Sequence, residues 1–404
     1  MVQPSRTEFI VLISSIMMIV AFAIDSMLPA LPAIGHSLGV VNENHWSLVI
    51  TAFTVGFGIS QLFVGTLSDR FGRRTLMLGS LVAFALCSIA AALAASFTLL
   101  LVARAAQGLG AAGARVIVTS VVRDRFEGRD MAQVMSLAAA IFMAAPIIAP
   151  FMGQAVLAVA PWRWIFIVLA FVGMATFLWV ALRLPETLAP DNRRQITPAA
   201  IRASIEIVVR DRQSVGYTIG NACLTATVMG FLTSVTLIFT DVFRVPDLLP
   251  WGFGAMAGSM MVASFTNAAI VKHFGMRRIG HAAIIGMTVI AALHAGLVAT
   301  IGDSLISFIV LQSLMMMCFS FSAANFGAMA MEHMGEVAGT ASSLQGSFST
   351  IVGALGGAII GQSFNGTTMP LYIGVTLAGL VAIAAIFIAE GGRLFIARNA
   401  MQGA

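Results

Sequence analysis

Charge is missing from long stretches of this chain. No Asp, Glu, Lys or Arg lies between Glu43 and Asp69, and none between Arg74 and Arg104. Apolar runs of about 20 residues match the hydrocarbon thickness of a bilayer when wound as helices. A bilayer core accepts only helices or closed barrels, because every backbone polar group must find a partner within the protein. The runs are continuous rather than alternating, so helices are expected. Composition agrees: of 404 residues 59% are hydrophobic and only 10% charged, too little charge to cover a soluble protein of this size. Asp25 and two prolines follow the first run, Phe9 to Ile24, which argues against a cleaved signal peptide.

Twelve spans are predicted, near 9–33, 46–67, 75–94, 97–121, 132–157, 162–182, 215–240, 251–271, 281–300, 304–328, 339–363 and 369–389. With a cytoplasmic N-terminus, 18 of the 22 basic residues fall on the cytoplasmic side, among them Arg123, Arg125, Arg193, Arg194 and Lys272. Only Arg163 and Arg244 fall outside, while Arg104 and Arg115 lie within a helix. The formal charge of +5 thus sits in short loops and does not point to nucleic acid. The hydrophilic stretch 183–214 divides the chain into a bundle over 1–182 and another over 215–404, with Pro198 to Val209 predicted as an amphipathic helix within it. The class expected is an all-α membrane protein of two pseudo-symmetric six-helix bundles.

The halves carry a worn repeat. SDRFGRR (Ser68 to Arg74) follows the second span and VKHFGMRR (Val271 to Arg278) the eighth; aligning the Phe-Gly pairs sets Lys272 opposite Asp69. FMGQ (Phe151 to Gln154) has an echo in IIGQ (Ile359 to Gln362). Paired repeats across a membrane are a signature of transporters, which bind cargo near the midplane.

Within the first repeat, Gly72 permits a tight turn, Gly65 permits close helix contact, and Arg70, Arg73 and Arg74 mark a membrane boundary. Asp69 is the lone acid among these arginines. GTLSDRFGRRTLM (Gly65 to Met77) resembles the signature loop of the major facilitator superfamily, G-x-L-x-D-R-x-G-R-R/K. RAAQGLGAAG (Arg104 to Gly113), holding Gln107, resembles its fourth-helix motif, and WRWIF (Trp162 to Phe166) the usual start of its sixth helix. IDSMLPALPAIG (Ile24 to Gly35), VVRDRFEGRD (Val121 to Asp130) and LPETL (Leu184 to Leu188) are similar to the Bcr/CflA branch of drug:proton antiporters. The resemblance implies that the charged loop is a gate latch, with Asp124 as the partner of Arg73 and Asp69 facing the start of the eleventh span.

Asp25 is the only acid well inside an apolar span. An intramembrane charge costs several kcal/mol, so such a residue is a functional candidate by default. Arg104 is the candidate counter-charge: the first helix runs outward, the fourth inward, and both residues fall on the order of 10 Å below one boundary. The resemblance matches Asp25 and Arg104 to the branch's first-helix Asp and fourth-helix Arg, and so to proton coupling. Multidrug relatives with a second acid carry it two turns earlier, where this chain has Met17 and Met18; that speaks against coupling to several protons. Met18 and Phe22 precede Asp25 on a similar face and form an apolar stripe for cargo. Arg115, eleven residues after Arg104, reads either as structural or as an attractor of cargo.

AAPIIAPFMG (Ala144 to Gly153) resembles the family's antiporter motif without its full Gly-Pro-x-x-x-Gly form. Pro146 and Pro150 remove backbone donors and bend the helix, for gating together with Gly153 or as an ordinary kink. Asn221, Gln312, Asn325 and Gln345 are candidate polar lining in the second half, and His294 reads as structural. Cys87, Cys223 and Cys318 lie in apolar runs without metal or disulfide spacing. Neither a cofactor nor a metal is expected, and no enzymatic activity. The partners expected are a small-molecule substrate, protons and membrane lipid, with the protein acting as a monomer. Proton-driven efflux of a small lipophilic compound or drug across a bacterial inner membrane is the leading reading. A nucleoside or metabolite symporter, an exporter of an endogenous amino acid or sugar, and a non-transporting membrane receptor are the alternatives.

Overall fold

The computed structural model describes residues 4–188 and 198–396; Arg193 and Arg194 lie outside them. Among the described residues there is no strand, and twelve helical segments are long and apolar enough to cross a membrane. The chain folds into two compact units, Met1–Ile201 and Arg202–Ala404, with six of those segments in each.

Unit 1 holds α1 (Arg6–Asp25), α2 (Leu31–Ser37), α3 (Leu48–Phe71), α4 (Arg73–Ala92), α5 (Phe97–Arg125), α6 (Gly128–Phe142), α7 (Ala145–Val159) and α8 (Arg163–Arg183). Two predicted spans are broken, each at proline. The first ends its α-helix at Asp25, and the chain continues through a 3₁₀ turn over Leu28–Ala30 into α2, because Pro29 and Pro32 lack N–H donors. The fifth splits into α6 and α7, with Pro146 in the first turn of α7, where a missing donor costs nothing, and Pro150 inside it. α3 packs along α5, α4 fills the space between α5 and α8, and α1 touches α5, α6, α7 and α8. Glycine makes the α3–α5 contact close: a Cβ on Gly108 would come within 2.8 Å of the Phe57 backbone nitrogen. Two bonds of 2.6 Å from the Arg183 guanidinium to the Glu8 carboxylate tie α8 to α1.

Unit 2 holds α10 (Arg212–Leu237), α11 (Leu249–Phe274), α12 (Met276–Ile301), α13 (Leu305–Ala330), α14 (Ala338–Gln362) and α15 (Met369–Ala389), preceded by α9 (Pro198–Arg210). Its internal pairings repeat those of unit 1: α11 on α13, and α12 between α13 and α15. α9 occupies the stretch predicted as an amphipathic helix. Its Val208 is buried against Met334 and Ala341, whereas Ile205, expected on the same side, is exposed.

Candidate functional site

Two sets of polar residues stand out in unit 1, one inside the membrane-crossing region and one at the α3–α4 turn. Asp25 ends α1 and is 6% exposed. Among the described residues, none lies within hydrogen-bond or ion-pair distance of its carboxylate. The expected pairing with Arg104 is therefore not a direct one. Arg104, fully buried, uses its donors elsewhere: Nε to the Val49 carbonyl (3.1 Å), one terminal nitrogen to Gln107 Oε1 (2.6 Å) and the other to the Ala23 carbonyl (2.9 Å). Its guanidinium lies over the Phe53 ring at 4.5 Å. Gln107 Nε2 donates in turn to Ser88 Oγ at 2.7 Å.

The result is a string of side chains from α4 through α5 that holds the end of α1. The Ala23 carbonyl is one that the helix end leaves without an intrahelical donor, and Arg104 satisfies it. Gly153 of α7 fixes the same end from another side: a Cβ there would lie 3.0 Å from the Ser26 carbonyl carbon. Arg104 and Gly153 thus position Asp25 without neutralising it. Ser15, Met18 and Phe22 form a half-buried stripe along α1, while most of their neighbours are buried.

At the α3–α4 turn, Gly72 takes φ 96°, a value L side chains rarely adopt, and lets α4 begin without a linker. Arg73, 3% exposed, follows at once. Its Nε donates to Asp124 Oδ2 at 3.2 Å and a terminal nitrogen pairs with Asp69 Oδ1 at 2.5 Å. The Arg73–Asp124 pair implied by the family resemblance is present. Asp69 is held within its own turn. Arg74 donates to the Ala181 carbonyl at 2.7 Å, whereas Arg70 lies over the Phe71 ring outside the node. Gly65 is half-buried and makes none of these contacts except that its carbonyl accepts from Ser68 Oγ at 2.8 Å.

Glu186 is an addition that the residue-by-residue reading missed. Its carboxylate accepts the backbone N–H of Arg73 (2.9 Å) and of Arg74 (3.2 Å), and so caps the positive end of α4. Thr187 Oγ1 donates to Asp124 Oδ2 at 3.1 Å, which closes the ring of contacts. The signal was an acid three residues past the end of α8.

Unit 2 has its own arginine node. Arg277 donates to Glu390 Oε1 (2.9 Å) and to Glu332 Oε2 (3.0 Å). Tyr217 Oη donates to Glu390 Oε1 at 2.6 Å, and His281 Nε2 lies 2.9 Å from the same hydroxyl. Glu332 is held below the ordinary glutamate value: burial pushes it up, but a hydrogen bond from Gln213 and the charge of Arg277 outweigh that.

The remaining candidates divide. Asn325 bonds to Asn267 (2.8 Å), and Gln345 to Ser214 (2.8 Å) and the Ala330 carbonyl (3.0 Å), so both serve helix contacts. Asn221 is half-buried; Gln312 is 1% exposed and its Oε1 has no partner. His294 is structural in a way its neighbours in sequence concealed. The chain turns back at Gly302 (φ 83°), and Asp303 comes 3.2 Å from His294 Nε2. Thr368 and Ser307 also donate to that carboxylate and hold it below its ordinary range against the opposing effect of burial.

Comparison with known proteins agrees with this arrangement. The model of the Major Facilitator Superfamily matches residues 13–357. The chain is 31% identical to the uncharacterized MFS-type transporter YdgK of Bacillus subtilis (strain 168) over 85% of its length and 86% of the relative's. It is 28% identical to the bicyclomycin resistance protein homolog of Haemophilus influenzae over 95% of its length and 96% of that protein's. It is 26% identical to the multidrug resistance protein MdtL of Escherichia coli O157:H7 over 95% and 96%. The crystal structure of the human organic anion transporter MFSD10 superposes with a TM-score of 0.67 at 17% identity, over 96% of this chain and 100% of that one, a likeness of fold alone. Twelve membrane-length helices, a repeated arginine node and this match over most of the chain lead to one conclusion: the chain belongs to the major facilitator superfamily of transporters.

Proposed function

We propose that the chain is a proton-coupled exporter of small lipophilic compounds that works by alternating access as a monomer in a bacterial inner membrane. Both termini are cytoplasmic, the segment 183–214 links the two bundles, and the Gly72 turn is the cytoplasmic latch. Relatives named for multidrug and bicyclomycin resistance support the class of cargo. The positive-inside distribution of arginine supports the orientation.

One observation carries the coupling: Asp25 is buried, without a partner among the described residues, at a helix end that its neighbours hold in place. An ionised carboxylate without partners is expensive in a low-dielectric site. A modest change in its surroundings then decides whether a proton is bound. Cargo settling on Met18 and Phe22 supplies such a change, and so does movement of α1. In one state the carboxyl carries a proton and the cargo site is empty; in the other the proton leaves and cargo occupies the stripe. Gln107 acts through Arg104, which it orients. Asn221 and Gln312 are proposed as polar contacts for cargo, and Pro146, Pro150 and Gly153 as the fixed kink against which α1 moves.

Flux in proteoliposomes with an imposed pH gradient tests this. The parent protein concentrates substrate against its gradient, and Asp25→Asn transports only downhill. Undiminished uphill transport by Asp25→Asn removes Asp25 from the coupling.

A further inference from the structure

The mechanism above leaves unused a charged residue in the interior of α5, Arg115. Arg115 lies on α5, four residues past the helix midpoint at Ala111. It is ten residues, nearly three turns, from Arg125 at the helix end, farther than an arginine side chain reaches. It shares a face with Arg104: eleven residues bring the helix round to within about 20°. The two arginines differ in what they hold. Arg104 is fully buried and spends its donors on two carbonyls and Gln107. Arg115 is half-buried, and its guanidinium lies 5.9 Å from the centre of the Phe142 ring of α6. Among the described residues it makes no hydrogen bond and no ion pair. Ala111, Ala112 and Val118, one turn to either side on the same face, are buried, whereas Arg115 itself stays half-buried.

An arginine stays charged at any accessible pH, so this group cannot escape its position by losing a proton. Its planar fork suits a carboxylate, and the aromatic face beside it suits an apolar body. We propose that Arg115 is a recognition site for an anionic group on the cargo, which is an amphipathic organic anion with its carboxylate on the guanidinium and its apolar part against Phe142. This rests on the proton-exchange reading and adds a charge count to it. A proton entering and a monoanion leaving both carry positive charge inward, so each cycle moves two charges; a neutral cargo moves one.

The test uses a pair of probes alike in shape, 1-pyrenebutyrate and 1-pyrenebutyramide, with the purified full-length protein. Equilibrium binding in detergent and flux in proteoliposomes are both read. The parent is expected to bind the carboxylate at least tenfold more tightly than the amide and to move two charges per carboxylate. Arg115→Gln should erase that preference while still binding the amide; Arg115→Lys should keep part of it and shows that loss is not misfolding. Equal binding of the two probes by the parent, binding of neither, or an unchanged preference in Arg115→Gln overturns the anion site. The two readings separate cleanly. Uphill, pH-driven flux of the amide without discrimination overturns the anion site and leaves proton-coupled export standing. A tenfold preference lost in Arg115→Gln, with no response of flux to pH, supports the anion site and overturns the coupling.

Discussion

The two arginine nodes are built from one plan and finished differently. In each unit a glycine in the left-handed region ends one helix and starts the next: Gly72 at φ 96°, ψ 148° and Gly275 at φ 82°, ψ 151°. In each, an arginine from the new helix reaches an acid at or just past the end of the following helix, Asp124 or Glu332. In each, a second acid arrives from just past the last helix, Glu186 or Glu390. The finish differs in two respects. Unit 1 keeps an acid, Asp69, on the turn itself, 38% exposed, where unit 2 has Lys272. Unit 2 instead buries one acid of its node: Glu390 is 2% exposed and is shared by Arg277 and Tyr217, while Glu332 is 31% exposed. An acid on the turn itself is suited to parting and re-forming its contact, whereas a buried glutamate shared by two donors holds its helices together. On the reading proposed above, the repeat supplies a latch in unit 1 and, through the buried Glu390, a staple in unit 2.

The largest effect expected from breaking this contrast is in the staple. Glu390→Gln leaves Arg277 buried with Glu332 as its one remaining counter-charge in the node, so the cost falls below the roughly 3–5 kcal/mol of a fully uncompensated buried charge but is still the largest here. Thermal unfolding in detergent should show it, and the pair Arg277→Met with Glu390→Leu should recover much of the loss. In the latch, Arg73→Gln and Asp124→Asn should each impair transport more than stability. Swapping the two charges should restore part of the flux, and a double-mutant cycle should show coupling of about 1 kcal/mol. A cycle without coupling removes the pair from the mechanism. Asp69→Asn should change stability by less than about 1 kcal/mol, because the pair is exposed on one side and screened. Transport should still slow, and labelling of introduced cysteines should show more opening on the cytoplasmic side. Equal state populations and full transport would make the turn a mere anchor.

Acid sharpens the contrast further, with the smallest effect. Glu332 is held below its ordinary value near 4.5 in the folded protein. A depressed carboxyl contributes stability above its unfolded value and loses it as pH falls through the folded one. Stability should therefore decline in that acid range, and Glu332→Gln should flatten the decline. An unchanged acid limb in the variant would mean that other carboxylates set it.

The helices and the Gly72 turn were readable in the chain because their signals are local. Uncharged runs mark spans, and the Asp69–Arg74 spacing marks a turn that brings Arg73 to Asp124. What sequence reading missed comes from far away in the chain. Glu186 meets Arg73 across 113 residues and Glu390 meets Arg277 across the same separation, so no spacing announces either. A repeat comparison carried to the helix ends would have found both, since each is an acid within three residues of its unit's last helix. Arg104 was legible as a buried charge but not in its choice of partner. Charge alone suggests Asp25, whereas the end of α1, where the Met27 N–H turns to the Ile24 carbonyl, frees the Ala23 carbonyl to take the guanidinium instead.

Asp25 is the group on which the proposed transport cycle turns, and proton release on binding tests that most directly. Substrate is added to the purified protein in weakly buffered detergent solution with a pH-indicating dye. The expected result is release of about one proton per substrate bound by the parent, and of none by Asp25→Asn at matched occupancy. Equal release from parent and variant would contradict the assignment, because the proton would then belong to another group.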